Sequence, residues 1–367
     1  MSRAEFPRKL LQQLESLNHN HLMRELSLPQ GGVDFYSNNY LGLASSVTES
    51  KYAYSGSGGS RLISGNYEAI EELEMFLASF HYAEAALIFP SAYQANIGLF
   101  RVLAGKEDTL LYDEHAHASI RDGMLLSYAR KQMFRHNDLQ DLEKKLQSAE
   151  GEKYIVVEGL YSMDGDFAPL EKIAELCRKY SAYLLVDEAH SNGIYGEKGE
   201  GIANSKDILE VCIARVYGFG KAIGCQGAAI VGSDNLRNLL INKHRAFIFS
   251  TGTSPILINA ISANYHQIEN AQDSRKLLFS NIRHFNSLFT TLGSSEWNSP
   301  IKSIPFPGNE NVMKKAAELR ELGFEVKGIR SPTVPESTER IRVILHSFNT
   351  FEEIENLFNA VESIKMK

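Results

Sequence analysis

The chain has 367 residues, 43% hydrophobic and 23% charged, with a formal net charge of −7. That is the composition of a soluble enzyme with apolar residues enough for one large core or two unequal ones, and no run approaches the roughly 18 apolar residues that a membrane helix needs. The acidic balance gives no basic surface for nucleic acid or anionic membrane, while local arginines can still hold an anionic substrate.

The first residues, MSRAEFPRKLLQQLESL, are charged and carry a helical stripe at Leu10, Leu14 and Leu17. They lack the apolar core of a secretory signal, which makes the cytoplasm the expected location. A glycine-rich stretch at 55–65 precedes an amphipathic helix with Ile70, Leu73, Phe76, Leu77 and Phe80 on one face. Short apolar runs at 85–89, 109–112, 154–157, 183–186, 211–216 and 228–231 then read as buried strands. Helical patterns at 93–103, 119–127, 139–147 and 170–180 lie between them, with Asn137 or Asp138 as N-cap of the third. Such alternation predicts a mostly parallel sheet covered on both faces, with ligands gathered beyond the carboxyl ends of its strands. From residue 255 the texture changes to a long helical stretch reaching 292, strand candidates at 302–305, 324–327 and 340–345, and helices at 312–322 and 351–364. The expected division is an N-terminal helical segment (1–36), a large α/β domain (37–254) and a small α+β domain (255–367). The three cysteines, Cys177, Cys212 and Cys225, have no CxxC spacing, which fits a reducing compartment and argues against a disulfide framework or a zinc site.

Residues 184–196, LLVDEAHSNGIYG, end a buried strand in Asp187, Glu188 and His190. A partly buried Asp187 needs a cationic partner, and the protonated ring nitrogen of a cofactor is one; capping the next element is the plainer use. The Asp-Glu step also ends a Walker B strand, but no GxxxxGK[ST] phosphate loop occurs in the chain. The next strand runs into VYGFGKAIG (216–224), where Lys221 stands among Gly218, Gly220 and Gly224 with almost no polar company. Desolvation makes a lysine nucleophilic toward carbonyls, and glycines let a flat cofactor approach the backbone. Asp187 and Lys221 together are what pyridoxal phosphate demands: an amine for its aldehyde and a carboxylate for its ring nitrogen. A phosphate cradle is then expected at FPSAYQAN (89–96), where Ser91 and the amides of Ala92 and Tyr93 open a helix, although an N-cap serine alone reads the same way. The hydroxyl cluster FSTGTSP (249–255) could add contacts. In DEHAHAS (113–119), His117 is the candidate to lie against a planar cofactor, and His115 reads as structural. Ser162 in EGLYSMDGD (158–166) is either a donor to the cofactor or part of a turn. Arg340 and Arg342 alternate onto one face of a strand, and Arg330 precedes a proline-rich turn; arginine suits bidentate capture of a carboxylate.

SNNYLGL (37–43), GSGGSRLISG (56–65), EGLYSMDGD, VDEAH and FGK occur in the order found in the α-oxoamine synthases, which the chain resembles over nearly its whole length. TVPESTERIRV (333–343) extends the resemblance to the C-terminal part. These are fold-type I pyridoxal phosphate enzymes, so the resemblance implies a large domain with a seven-stranded, mostly parallel sheet and a homodimer whose sites lie at the interface. It implies condensation of a small amino acid with an acyl-CoA or acyl-carrier protein. The motifs most resemble the branch that makes 8-amino-7-oxononanoate from alanine and a pimeloyl thioester for biotin. Glycine with acetyl-CoA, or serine with a long acyl-CoA, are the alternatives, with a non-catalytic cofactor-binding protein behind them. By resemblance Lys221 carries the cofactor and moves the α-proton, Asp187 pairs with the ring nitrogen, His117 stacks, and His190 and Ser162 contact the ring 3-oxygen. Ser91, Ala92 and Tyr93 bind phosphate, joined by Ser250 and Thr251 of a second subunit, while Asn38, Arg330 and Arg342 address substrate. Two departures stand out. Many relatives carry threonine where this chain has Gly218, a loss worth about 1 kcal/mol of cofactor binding. The segment 44–53 is also short, which bears on acyl specificity.

Overall fold

The computed structural model describes residues 6–20, 22–24, 26, 28–29, 31–46 and 55–366. Seven strands form the main sheet, in the spatial order Ala85–Phe89, Ala228–Gly232, Cys212–Gly218, Ala182–Asp187, Lys153–Glu158, Thr109–Asp113 and Arg130–Phe134. Only Ala228–Gly232 runs against its neighbours, so the sheet is mostly parallel. Consecutive strand residues point to opposite faces, and here both faces are covered. Tyr154, Val156 and Leu185 join one apolar cluster, while Ile155, Val157, Leu184 and Val186 join another. That burial on both sides is why these strands read as unbroken apolar runs.

The edge strand Arg130–Phe134 was not expected from the sequence. Its residues are mostly exposed and polar, so neither an apolar run nor an alternation marks it. At the next helix, Asp138 is the N-cap: its carboxylate accepts from the amides of Gln140 and Asp141 at 3.0 and 2.9 Å. Asn137 instead sits at φ 54°, in the left-handed region that asparagine tolerates. The long helical stretch after residue 255 is two helices, Pro255–Glu269 and Gln272–Phe289, broken at Asn270 and Ala271. The expected strand at 324–327 also divides. Phe324–Glu325 pairs in parallel with Val33–Asp34, while Lys327–Ile329 joins a three-stranded antiparallel sheet with Arg340–Ile344 and Ile301–Pro305. The Val33–Asp34 pairing ties the N-terminal part of the chain to its C-terminal part. One apolar cluster runs from Phe35 and Tyr40 through Ile258 to Ile364. Among the described residues no helix is long and apolar enough to cross a membrane.

Lys302 lies in this core, fully buried, with its ammonium donating to the Trp297 carbonyl and 6.0 Å from the Phe285 ring centre. Burial pushes its pKa down from 10.5 to about 7, against a pull from Glu296. Between those values the unfolded chain binds more protons than the folded one, so this group makes stability rise with pH across that window. Lys302→Met is expected to raise the melting temperature at pH 7, by on the order of a few kcal/mol in stability, and to flatten the dependence between pH 7 and 10. Thermal unfolding followed across that range checks both; a lower melting temperature at pH 7 would refute it.

Candidate active site

Neighbouring strands of the sheet deliver side chains to one face. Glu158, Asp187 and Gly218 share the alternation of Val156, Leu185 and Val216, which pack with Ala95, Leu99 and Ile120. The strand ends therefore aim at the beginnings of the helices Ala92–Leu103 and Ala118–Leu126. Asp187 is paired in register with Glu158 on one side and Val216 on the other.

Asp187 is buried, and one carboxylate oxygen accepts from the Ala189 amide at 3.0 Å. The other accepts from Asn96 Nδ2 at 2.8 Å, and the same Nδ2 lies 3.0 Å from Ser119 Oγ. Ser119 in turn holds His117: its hydroxyl is 2.8 Å and its amide 3.1 Å from Nδ1. The His117 amide donates to Glu158 at 2.7 Å. Desolvation lowers the His117 pKa, with Asp187 pulling it up and Lys221 pushing it down. Glu158 is buried beside Asp187, and burial together with that charge pushes its carboxyl well above the usual range.

Lys221 follows the strand Cys212–Gly218 on a turn closed by the Gly224 amide donating to the Lys221 carbonyl at 2.9 Å. The turn needs glycine at 224. Its φ is 69°, and a Cβ there would stand 2.3 Å from the Ala44 nitrogen. The Lys221 ammonium makes no hydrogen bond among the described residues. Desolvation lowers its pKa, against the pull of Asp187 and Glu158, and Arg342 pushes it down further. The result is an amine more easily deprotonated than an ordinary lysine.

His190 Nδ1 meets the Tyr40 hydroxyl at 2.7 Å. Tyr40 also reaches Asn38 Oδ1 at 3.4 Å, and Arg342 donates to that oxygen at 3.2 Å and to the Ser162 carbonyl at 2.8 Å. Burial, with Lys221, Arg342 and His117 adding to it, drives the His190 pKa well below its ordinary value and keeps the ring neutral. Burial likewise raises the Tyr40 phenol.

The helix Ala92–Leu103 opens beside Gly218. Ser91 caps it by accepting from Gln94 at 3.1 Å, and its first turn has no acidic residue to repel an anion. A Cβ on Gly218 would lie 3.1 Å from the Ala189 Cβ and 3.6 Å from the Ala92 Cβ, so glycine suits the backbone as it stands. Tyr93, in the first turn, turns its hydroxyl to Asp122. The donor set fits pyridoxal phosphate: a buried carboxylate for a ring N–H, a desolvated amine for the aldehyde, and an uncrowded helix N-terminus for the phosphate.

The structure thus brings together Asp187, Lys221, His117, His190, Ser162, Asn38 and Arg342, with Ser91, Ala92 and Tyr93 at the adjoining helix start. It does not bring in three others. Thr251 bridges to Ser60, beside a Gly252 amide that donates to Gly59 at 2.8 Å, and Ser250 precedes it there. Among the described residues no hydrogen bond links that segment to Lys221. Arg330 donates to the Met23 carbonyl at 2.8 Å, in a cleft it shares with Leu14, Leu17 and Pro332. Of the short segment 44–53, residues 47–53 lie outside the described residues. Asn96, Glu158 and Tyr40 complete the group although the sequence did not single them out. Asn96 is a polar residue among the buried Ala95, Leu99 and Phe100 of its helix, and Glu158 ends an apolar strand just as Asp187 does.

The model of the aminotransferase class I and II family matches residues 30–361. The chain is 38% identical to 8-amino-7-oxononanoate synthase of Lysinibacillus sphaericus, over 90% of this chain and 88% of that one. Its identity to the synthase of that name from Pelobacter propionicus is 42%, over 83% and 82%. Among solved structures, Sphingomonas wittichii serine palmitoyltransferase superposes with a TM-score of 0.88 at 27% identity, covering 98% of this chain and 97% of the other. The 8-amino-7-oxononanoate synthase of Francisella tularensis superposes with a TM-score of 0.80 at 29% identity, covering 91% and 98%.

Proposed function

The chain belongs to the aminotransferase class I and II family, and from that premise we propose that it is a pyridoxal phosphate-dependent C-acyltransferase making 8-amino-7-oxononanoate for biotin synthesis. Its substrates are L-alanine and a pimeloyl thioester, carried on CoA or a carrier protein. The observation that carries the reading is the buried Asp187 beside the desolvated Lys221 at neighbouring strand ends. The relatives at 38 and 42% identity support the choice of product.

Bound pyridoxal phosphate supplies a protonated ring that withdraws the electron pair left when a bond to the amino acid's α-carbon breaks. Asp187 holds the proton on that ring nitrogen, and Asn96 and the Ala189 amide fix the carboxylate that does so. His117 would lie against the ring, and His190, neutral and oriented by Tyr40, would contact its 3-oxygen together with Ser162. Ser91 and the amides of Ala92 and Tyr93 hold the phosphate. Arg342 and Asn38, already hydrogen-bonded to one another, hold the alanine carboxylate, with Arg330 a further contact to the acyl substrate. Lys221 Nζ takes the α-proton. The α-carbon then bonds to the acyl carbonyl carbon as the C–S bond breaks, the thiolate leaves and takes a proton from water, the carboxylate departs as CO2, and Nζ returns its proton to the α-carbon. The working unit is a homodimer in the cytoplasm, with Ser250 and Thr251 reaching the phosphate from the second copy.

Purified protein loaded with cofactor is expected to release free thiol from pimeloyl-CoA only when alanine is present. No release with alanine and either pimeloyl thioester overturns the substrate choice. The superposition on a serine palmitoyltransferase favours a second reading, serine with a long acyl-CoA. Thiol release with serine and palmitoyl-CoA exceeding that with alanine and pimeloyl-CoA selects it.

A further inference from the structure

We propose that His136 is a positively charged staple that positions the Ser162–Arg342 side of the site, by bridging the carboxylates of Asp113 and Asp166. This rests on the proposed function for its effect on substrate, and on geometry alone for the charge. His136 Nδ1 lies 2.8 Å from Asp113 Oδ1 and Nε2 lies 2.7 Å from Asp166 Oδ2. Both carboxylates are buried. An ionised carboxylate only accepts, so both ring nitrogens must carry hydrogen, and the imidazole is an imidazolium.

The surroundings favour that charge. Glu114 accepts from the His136 amide at 2.7 Å. The ring stacks on His115 with centroids 4.0 Å apart and meets the edge of Tyr161 at 4.5 Å. His115 in turn lies 3.7 Å from Asp164, which pairs with Arg340. Burial opposes the imidazolium, but Asp113 and Asp166 outweigh it and hold the pKa up at about 10. The staple therefore stabilises the fold fully below the ring's ordinary 6.5, and its contribution is lost as pH rises through about 10.

The two ends of the staple differ in what else holds them. Asp113 keeps the amides of His115 at 2.8 Å and Asn137 at 3.0 Å, so the turn leading to His117 does not depend on His136 alone. Asp166 keeps Asn137 Nδ2 at 2.7 Å, but its second oxygen is buried with no hydrogen-bond partner among the described residues. The Asp166 end belongs to the loop whose Ser162 carbonyl receives Arg342 and whose Asp164 receives Arg340. Losing the imidazolium should loosen this loop, and with it the guanidinium assigned to the amino-acid carboxylate, while leaving Lys221 and Asp187 in place. The expected signature is a change in KM for the amino acid rather than in kcat.

Histidine-labelled holoenzyme followed by NMR decides the charge directly, with His136→Gln identifying the signal. The ring should stay protonated past pH 8; titration near 6.5 overturns the staple. In steady-state thiol release, His136→Gln should raise the amino-acid KM about tenfold, as expected for losing a hydrogen bond between charged partners, with kcat changed by no more than about threefold. The wild-type KM should climb only above about pH 9, and that alkaline rise should vanish in His136→Gln. Asp166→Asn should reproduce the KM change, and its circular dichroism and that of His136→Gln should match wild type. An unchanged KM in both variants, or a fall in kcat alone, overturns the positioning role. Should the enzyme take neither alanine nor pimeloyl-CoA, the functional reading fails, and the imidazole titration still decides the staple.

Discussion

Replacing Lys221 by alanine is expected to abolish thiol release, a loss of at least about 10³-fold, because in the proposed reaction acid–base transfer and covalent attachment share one nitrogen. The position is specific to an amine with a lowered pKa. Lys221→Arg keeps a positive charge near Asp187 and Glu158, yet a guanidinium neither condenses with an aldehyde nor gives up its proton near neutral pH. It should be as inactive as alanine. Neither variant should be unstable for want of a partner, because the ammonium has no hydrogen bond to lose among the described residues. Its desolvation disfavours the charged form, so Lys221→Ala should melt at the same temperature as wild type or higher. Loss of turnover without loss of stability separates a chemical role from a structural one. Residual turnover in Lys221→Ala within tenfold of wild type would exclude this lysine as the working amine.

What the sequence made legible follows from how locally each feature is encoded. Asp187 could be read because an apolar strand ending in an acid is a contiguous pattern, and the parallel sheet because burial on both faces leaves unbroken apolar runs. The link from Tyr40 to His190 joins residues far apart in the chain, and so does the one from Asn38 to Arg342. Nothing in either local stretch announces them; only the motif order, through the family resemblance, put Asn38, His190 and Arg342 on one list. Asn96 escaped for another reason. The helix start at Ser91 drew attention to its amides, while the polar residue one turn later looked like any interruption of an apolar stripe. His136 escaped because HND reads as the approach to a helix cap, and its acidic partners come from two other segments. The edge strand Arg130–Phe134 was silent because an exposed edge needs no apolar residues. Arg330 lies in the resembling turn, and its guanidinium donates to the Met23 carbonyl, a contact between distant segments that neither stretch announces.

Asp187→Asn should lower kcat/KM by about 10²–10³-fold while leaving the protein folded, since it removes a buried charge aimed where charge develops and keeps the side chain's shape. An asparagine can still accept from Asn96 with its oxygen. Its amide nitrogen then faces the Ala189 amide, so neither of these donors has an acceptor there, at a cost of about 1–3 kcal/mol in stability for each. The electrostatic consequences can be followed independently of turnover. Asp187 supports the charged forms of Lys221 and His117 and opposes ionisation of Glu158. Its neutralisation should therefore lower the lysine and histidine pKa values further and bring the Glu158 carboxyl down toward the usual range. Infrared spectroscopy of the buried carboxyl, compared between wild type and Asp187→Asn, reports the last of these. A double variant Asp187→Asn with Asn96→Ala should lose little beyond the single Asp187→Asn, because Asn96 acts on the chemistry only through the carboxylate it orients. Equal and additive losses would mean that Asn96 works elsewhere. Wild-type turnover in Asp187→Asn would mean that the ring nitrogen does not depend on this carboxylate, and the assignment of the strand end as the cofactor's anchor would fall.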